Sequence, residues 1–197
     1  LARSPGRYSS KFLLFKSNTG IYTAGEFFDD WRATNPTFTA NGESNANYWQ
    51  RGNLWEKSGH LALFDQGAWM SRVVEIRNHG NNSRSFPIKS LRITRQDGNP
   101  TLDYPLFPAQ PFSSYRNFIV RNAGNDFDGA LVRDGLIQEL SAGLAFSRQA
   151  FRPSILFLNG EYWGIHNMRE RIDEYYLANH FGVSPNEVDL LENNQEI

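Results

Sequence analysis

Residues 157–173 read F-L-N-G-E-Y-W-G-I-H-N-M-R-E-R-I-D. The apolar run Ile155 to Leu158, the pair Asn159-Gly160 and the run Tyr162 to Met168 predict a hairpin with a two-residue turn. Asn-Gly tolerates the positive φ at both central positions that two twisted antiparallel strands require. A helix is expected to follow over Ile172 to His180, and Ser184-Pro185 can open another. Upstream, strand signals accumulate at His60 to Phe64 ahead of the Asp65-Gln66-Gly67 turn, at Val73 to Arg77, at Ser90 to Thr94 and at Asn117 to Val120. Asp97-Gly98, Asn99-Pro100 and the four prolines from Pro100 to Pro111 make the link to Phe118 extended rather than helical. Asp126 or Asp128 can cap a first helix in which Val132, Leu136 and Leu140 recur at i+4, with Gly143 at its stop. There is no internal repeat, and the expected fold is α+β: a mostly antiparallel sheet with a packed helix.

With 197 residues, 40 % of them apolar, five Trp and fifteen Phe, the chain can bury a sizeable core. The net charge of −1 supplies no global basic field, so nonspecific binding to nucleic acid or an anionic membrane has no support, and any anion binding must be local. The absence of cysteine excludes disulfides and thiolate metal sites and leaves the redox compartment open. No apolar run approaches the roughly 20 residues of a membrane-spanning helix. There is no initiating Met or signal-like segment, and the chain reads as a piece of something longer. Phe12 to Phe15 is a short apolar run, and residues 24–54 are rich in Asn, Thr and Gly with scattered aromatics. The expected organisation is an irregular, aromatic-rich lead-in over 1–60 and a folded unit over 61–197.

The densest chemistry lies at 80–91, G-N-N-S-R-S-F-P-I-K-S-L. A polar turn followed by Arg84 and by Lys89 at a strand entrance can face a phosphate. Period-two alternation places Lys89 with Leu91 and Ile93 on the covered face, where an ammonium needs an anionic partner; a lysine snorkelling from a strand edge to water fits the same residues. Ser83 and Arg84 carry the same two readings, phosphate contact or a solvated loop, and G-N-N-S-R is neither a Walker A nor a G-x-G-x-x-G motif. Asp134 and Glu139 lie off the apolar stripe of the first helix, as partners for a strand lysine or as part of a solvent face. Glu170 either lines a cleft at the exit of the sheet or joins a surface network with Arg169 and Arg171. His60, His79, His166 and His180 have no ligand spacing, so no metal site is assigned, and no G-x-S-x-G elbow occurs. Tyr48, Trp49, Trp55, Trp69, Tyr162 and Trp163 fit core packing or stacking on sugar rings.

Four segments together carry a family resemblance. They are N-Y-W-Q with L-W-E at 47–56 leading to L-A-L-F-D, R-N-H-G-N-N-S-R-S-F-P-I-K-S-L-R at 77–92, F-I-V-R-N-A-G-N-D with L-V-R-D at 118–134, and F-L-N-G-E-Y-W-G-I-H-N-M-R-E-R-I-D at 157–173. In these the chain resembles the CotH family, the spore-coat protein H kinases of bacteria and their relatives in larger secreted proteins. The resemblance implies the N-terminal lobe of an atypical protein kinase, in which a helix packs beside a small sheet. It implies transfer of the ATP γ-phosphoryl to Ser or Thr of an extracellular or coat protein, with Mg²⁺. It further implies that Lys89 contacts phosphates with Ser83 and Arg84 in the preceding loop, that Asp134 pairs with Lys89, and that Glu170 sits near the cleft. In the family a D-W-P-x-N-N-like or D-R-H-x-x-N-like segment and a later D-x-D-like segment follow and supply the base and the Mg²⁺ ligands; neither occurs within these 197 residues. The expectation is therefore an exported kinase portion that is inactive by itself. The alternative is a noncatalytic cell-surface structural or glycan-binding module.

Overall fold

The computed structural model of the chain describes residues 12–16, 47–65, 67–96, 98, 101–192 and 195–196. Most of the expected lead-in lies outside these residues. Seven strands close into a barrel: β1 (Phe12–Lys16), β2 (Lys57–Asp65), β3 (Ala68–His79), β4 (Ser90–Arg95), β7 (Asn117–Arg121), β9 (Glu161–Arg169) and β8 (Phe151–Leu158), in that spatial order. Every pair is antiparallel except β1 with β8, which run parallel at the closing seam. The short ribbons β5 (Leu102–Asp103) with β6 (Ser114–Tyr115), and β10 (Leu191–Glu192) with β11 (Gln195–Glu196), stand outside the barrel. Among the described residues two helices, α1 (Arg133–Leu140) and α2 (Glu174–Phe181), complete an α+β fold whose order is compatible with a kinase N-terminal lobe.

Alternation fills the barrel. Leu61 and Leu63 of β2, Met70, Val74 and Ile76 of β3, Leu91 and Ile93 of β4, Phe118 and Val120 of β7, and Leu156 and Leu158 of β8 all point inward, while Leu102, Leu106, Phe107 and Tyr115 extend this core beside the strands. The β8–β9 turn takes the conformation its sequence dictates, with Asn159 at φ 53° and Gly160 at φ 86°. Farther along, Ile155 faces Ile165 while Phe157 faces Tyr162, so β9 carries one extra residue there, and Gly164 takes φ 87°. That bulge shifts the phase of β9, after which His166 to Arg169 are all buried.

The helices are seated differently. Asp173 caps α2, accepting from the amides of Tyr175 and Tyr176 at 3.0 and 2.9 Å, and Gly182 closes it at φ 69°. Asp126 reaches α1 from outside the helix, its Oδ2 accepting the Arg133 amide at 3.1 Å. The Val132, Leu136 and Leu140 stripe of α1 faces outward, with Leu140 76 % exposed. What α1 buries instead is Gly135, set against the ring of Phe151 so closely that a Cβ there would fall 2.4 Å from it. Gly135→Ala should therefore lower stability by about 1–2 kcal/mol in urea unfolding despite the better helix propensity of Ala. Gly143→Ala, with open space around it, should change stability by less than about 0.5 kcal/mol; equal effects of the two substitutions would rule out the contact.

Candidate functional site

Strand register assembles the site. Arg77 of β3 lies opposite Arg92 of β4, Arg92 opposite Ile119 of β7, Ile119 opposite Arg169 of β9, and Arg169 opposite Phe151 of β8. Opposed residues share a face, so these five form one row across the outside of the barrel. In the next row His79 faces Ser90, and Arg121 and Pro153 both face Asn167. Helix α1 lies at the Phe151 end, and from it Asp134 Oδ2 accepts from Arg169 Nη1 at 2.8 Å and from Arg121 Nη1 at 3.0 Å.

Arg169 is the more constrained partner. Its side chain is 1 % exposed, its Nη2 donates to Gln149 Oε1 at 3.0 Å, and its buried Nε is left without an acceptor. Burial pulls its pKa below the ordinary value, and Asp134 works against that pull. At the other end of the row, Arg77 and Arg92 share one oxygen, Glu56 Oε1, at 3.3 and 3.4 Å. Arg92 is pulled down to about 10, first by burial and then by Arg171 and Arg77. His79 is pulled down to about 3 by burial and by the positive charges of Arg171, Arg84, Arg92 and Arg121. It is a neutral imidazole set among guanidinium groups.

The 80–89 loop is held by its own backbone. Arg84 Nε donates to the Gly80 carbonyl at 2.6 Å, and Nη1 donates to the carbonyls of Gln50 and Tyr48 at 3.0 and 3.3 Å. The buried Lys89, 6 % exposed, donates to the Arg84 carbonyl at 2.9 Å, with its Nζ 4.2 Å from the centre of the Tyr48 ring. Ser83 lies in the short turn Asn82–Ser85, its hydroxyl beside Gly80, whose φ of 109° disfavours any side chain there. His166, wholly buried, donates from Nε2 to the Lys89 carbonyl at 3.0 Å and anchors the strand entrance to β9.

Lys89, Arg84 and Ser83 thus share one loop, and the covered position expected for Lys89 is the one observed. Asp134 is on the expected helix, but its carboxylate goes to Arg169 and Arg121 and not to Lys89; those guanidiniums project from the strands on which α1 lies, and together they occupy the oxygen. Glu139 pairs with Arg148, at 3.5 Å. Glu170 stands apart, accepting from His180 Nε2 at 2.9 Å, from the Ala150 amide at 2.8 Å and from Gln110 Nε2 at 3.2 Å. The His180 ring stacks on Tyr176, and both line a cleft of about 460 Å³ with Gln110, Phe146 and Arg148. Glu170 itself is buried behind that cleft. Among the described residues no group of three or more His, Asp or Glu side chains could hold a metal ion, and no helix is long and apolar enough to cross a membrane.

A family model described as CotH kinase protein matches residues 76–196, more than half of the chain. The chain belongs to the CotH kinase family. No curated protein matches it. The matched CotH segment contains β4, β7, β8, β9 and both helices, together with the 80–89 loop, the Asp134 link and Glu170. The arginines at 77, 92, 121, 169 and 171 were not singled out from the sequence as a site; alternation with Ile76, Leu91 and Ile93 marks the outward side for Arg77 and Arg92, register relates these to Arg121 and Arg169, and Arg171 lies just past the end of β9.

Asp134→Ala leaves Arg169 buried without its carboxylate and should cost about 1–3 kcal/mol in urea unfolding. The double change Asp134→Ala with Arg169→Met should recover part of that loss, and strict additivity would contradict the link. For His79 the folded pKa lies below the unfolded value of about 6.5. Its contribution is present above pH 6.5 and is lost as pH falls from there towards about 3, because the unfolded chain takes up a proton that the folded one refuses. His79→Asn should flatten the stability–pH curve in that window, measured as unfolding midpoints between pH 4 and 7.

Proposed function

We propose that this chain is the nucleotide-binding portion of a CotH kinase that transfers the γ-phosphoryl of ATP to Ser or Thr of an extracellular or coat protein. The observation that carries this reading is the link from Asp134 on α1 to Arg169 on β9, inside the segment matched by the CotH family. A helix carboxylate that fixes a strand cation is the arrangement by which kinases set the position of a phosphate-binding group. Here the fixed cation is a guanidinium, and Arg121, which shares the same carboxylate oxygen and is 37 % exposed, is the neighbour within reach of a phosphate. Bound ATP with Mg²⁺ supplies the γ-phosphoryl and charge neutralisation, and a face rich in guanidinium groups suits its anionic end. Lys89, Arg84 and Ser83 frame the adjoining loop, and Glu170 fixes the exit of the β8–β9 hairpin against α2.

A noncatalytic surface or glycan-binding module is the second reading. It is favoured by Trp69, 66 % exposed opposite Phe64 on the β2–β3 hairpin, and by exposed Tyr162 at the tip of β8–β9. Tyr48 and Trp163 do not add to that surface, since one covers Lys89 and the other packs on the core.

The test is transfer of labelled γ-phosphate from ATP, with Mg²⁺ or Mn²⁺, to a Ser/Thr acceptor by the full-length protein. Labelling that falls roughly 100-fold in Asp134→Ala while the variant stays folded is the expected result. No labelling and no ATP-dependent thermal shift in the wild type would remove the kinase reading, and loss of a glycan response in Trp69→Ala would then support the second.

A further inference from the structure

We propose that the outer face of the barrel carries a binding site for a phosphate group, formed by Arg77, Arg92 and Arg171. The proposal does not depend on the kinase reading. It begins from a cost in the fold: Arg77 and Arg92 are directly opposed across β3 and β4, where like charges destabilise a sheet. The two share a single carboxylate oxygen, Glu56 Oε1, and their other contacts are to the neutral side chains Asn53 and Thr94. Arg171 adds a third guanidinium, bonded to Asp173 at 2.6 Å, and its positive charge is felt by Arg77, Arg92 and His79 alike.

Charge among these arginines and the carboxylates they touch does not balance. Five guanidiniums, those of Arg77, Arg92, Arg121, Arg169 and Arg171, touch three carboxylates, those of Glu56, Asp134 and Asp173. At Arg77, Arg92 and Arg171 themselves, three guanidiniums touch two carboxylates, an excess of one positive charge that a phosphate oxygen can answer, in a protein whose net charge is −1.

Geometry suits the same ligand. The side chains of Arg77, Arg92 and Arg171 are 21, 14 and 21 % exposed, so they are partly withdrawn from water without being sealed from it. Partial withdrawal strengthens their attraction for an anion, and planar guanidiniums can each present two parallel N–H bonds to phosphate oxygens. His79, neutral in the adjoining row, adds no competing charge and can donate one ring N–H. The phosphate can belong to a nucleotide or to a phosphorylated side chain, and the shared recognition chemistry is that of the phosphate group itself.

The experiment is calorimetric titration of the full-length protein at low salt with inorganic phosphate, phosphoserine, AMP and ATP. Wild type is compared with Arg77→Met and Arg171→Gln, and urea unfolding is recorded for each. Phosphate affinity should fall about 10- to 100-fold in both variants. Stability should be unchanged or raised in Arg77→Met, because Glu56 keeps Arg92 and the like-charge pair is gone. A merely structural arginine would show the reverse, with stability lost and binding intact, and that result overturns the site. So does the absence of binding by every phosphate probe in the wild type, or equal binding by wild type and both variants. Where the site stands, a parallel loss for ATP and AMP assigns the phosphate to a nucleotide, and a loss confined to phosphoserine and inorganic phosphate assigns it to a modified side chain. ATP transfer that persists when phosphate binding is lost would leave the kinase reading untouched.

Discussion

The ion pair between Asp134 and Arg169 is the constraint on which the functional face depends. A guanidinium buried this completely is tolerated only if its charge is answered, and the answer comes from a separate element, α1. That helix offers little apolar adhesion, because its leucine and valine stripe faces outward and its buried contact is a glycine against Phe151. Electrostatics and one close backbone approach therefore set the position of α1, where an amphipathic helix would ordinarily rely on apolar area. The same oxygen of Asp134 also takes Arg121, so the orientations of β7, β9 and α1 are coupled through one carboxylate.

The 80–89 loop shows a different economy. Two cations that could have reached outward are used to bind carbonyl groups, Arg84 those of residues 48, 50 and 80, and Lys89 that of Arg84. Carbonyl oxygens are sufficient partners when several converge, and the Tyr48 face adds a further share of negative potential. The segment at 47–50 is thereby tied to the entrance of β4, close in space although far apart in sequence.

What could be read in advance was local. Asn159-Gly160 determined its hairpin because the turn chemistry lies within two residues, and Asp173 could cap α2 because the acceptor and the amides are neighbours in the chain. The α+β class and the CotH family followed from segments each long enough to carry a pattern. Alternation with Leu91 and Ile93 offered a buried Lys89 as one of two readings, beside a lysine that snorkels to water, and the buried one is observed. Its partners could not be read in advance, since a backbone carbonyl has no signature in the sequence and Tyr48 comes from a distant turn. Asp134 was one of two helix carboxylates, with Glu139, that could partner a strand lysine or face solvent, and its choice of Arg169 and Arg121 over Lys89 depends on strand register and on which face of α1 turns inward. The apolar stripe pointed to the opposite face, because local periodicity cannot anticipate that Gly135 fits against Phe151 and the leucines do not.

The closing seam has a further consequence. β1 joins β2 antiparallel on one side and β8 parallel on the other. Both neighbours would become free edges without it, each presenting unpaired amides and carbonyls to any passing strand. The segment matched by the family begins at residue 76, inside β3, after β1 and β2 have already been laid down. A fragment trimmed to that match would retain the arginines and both helices yet expose an open sheet, so its weakness would be self-association through strand edges and not the loss of a single site residue.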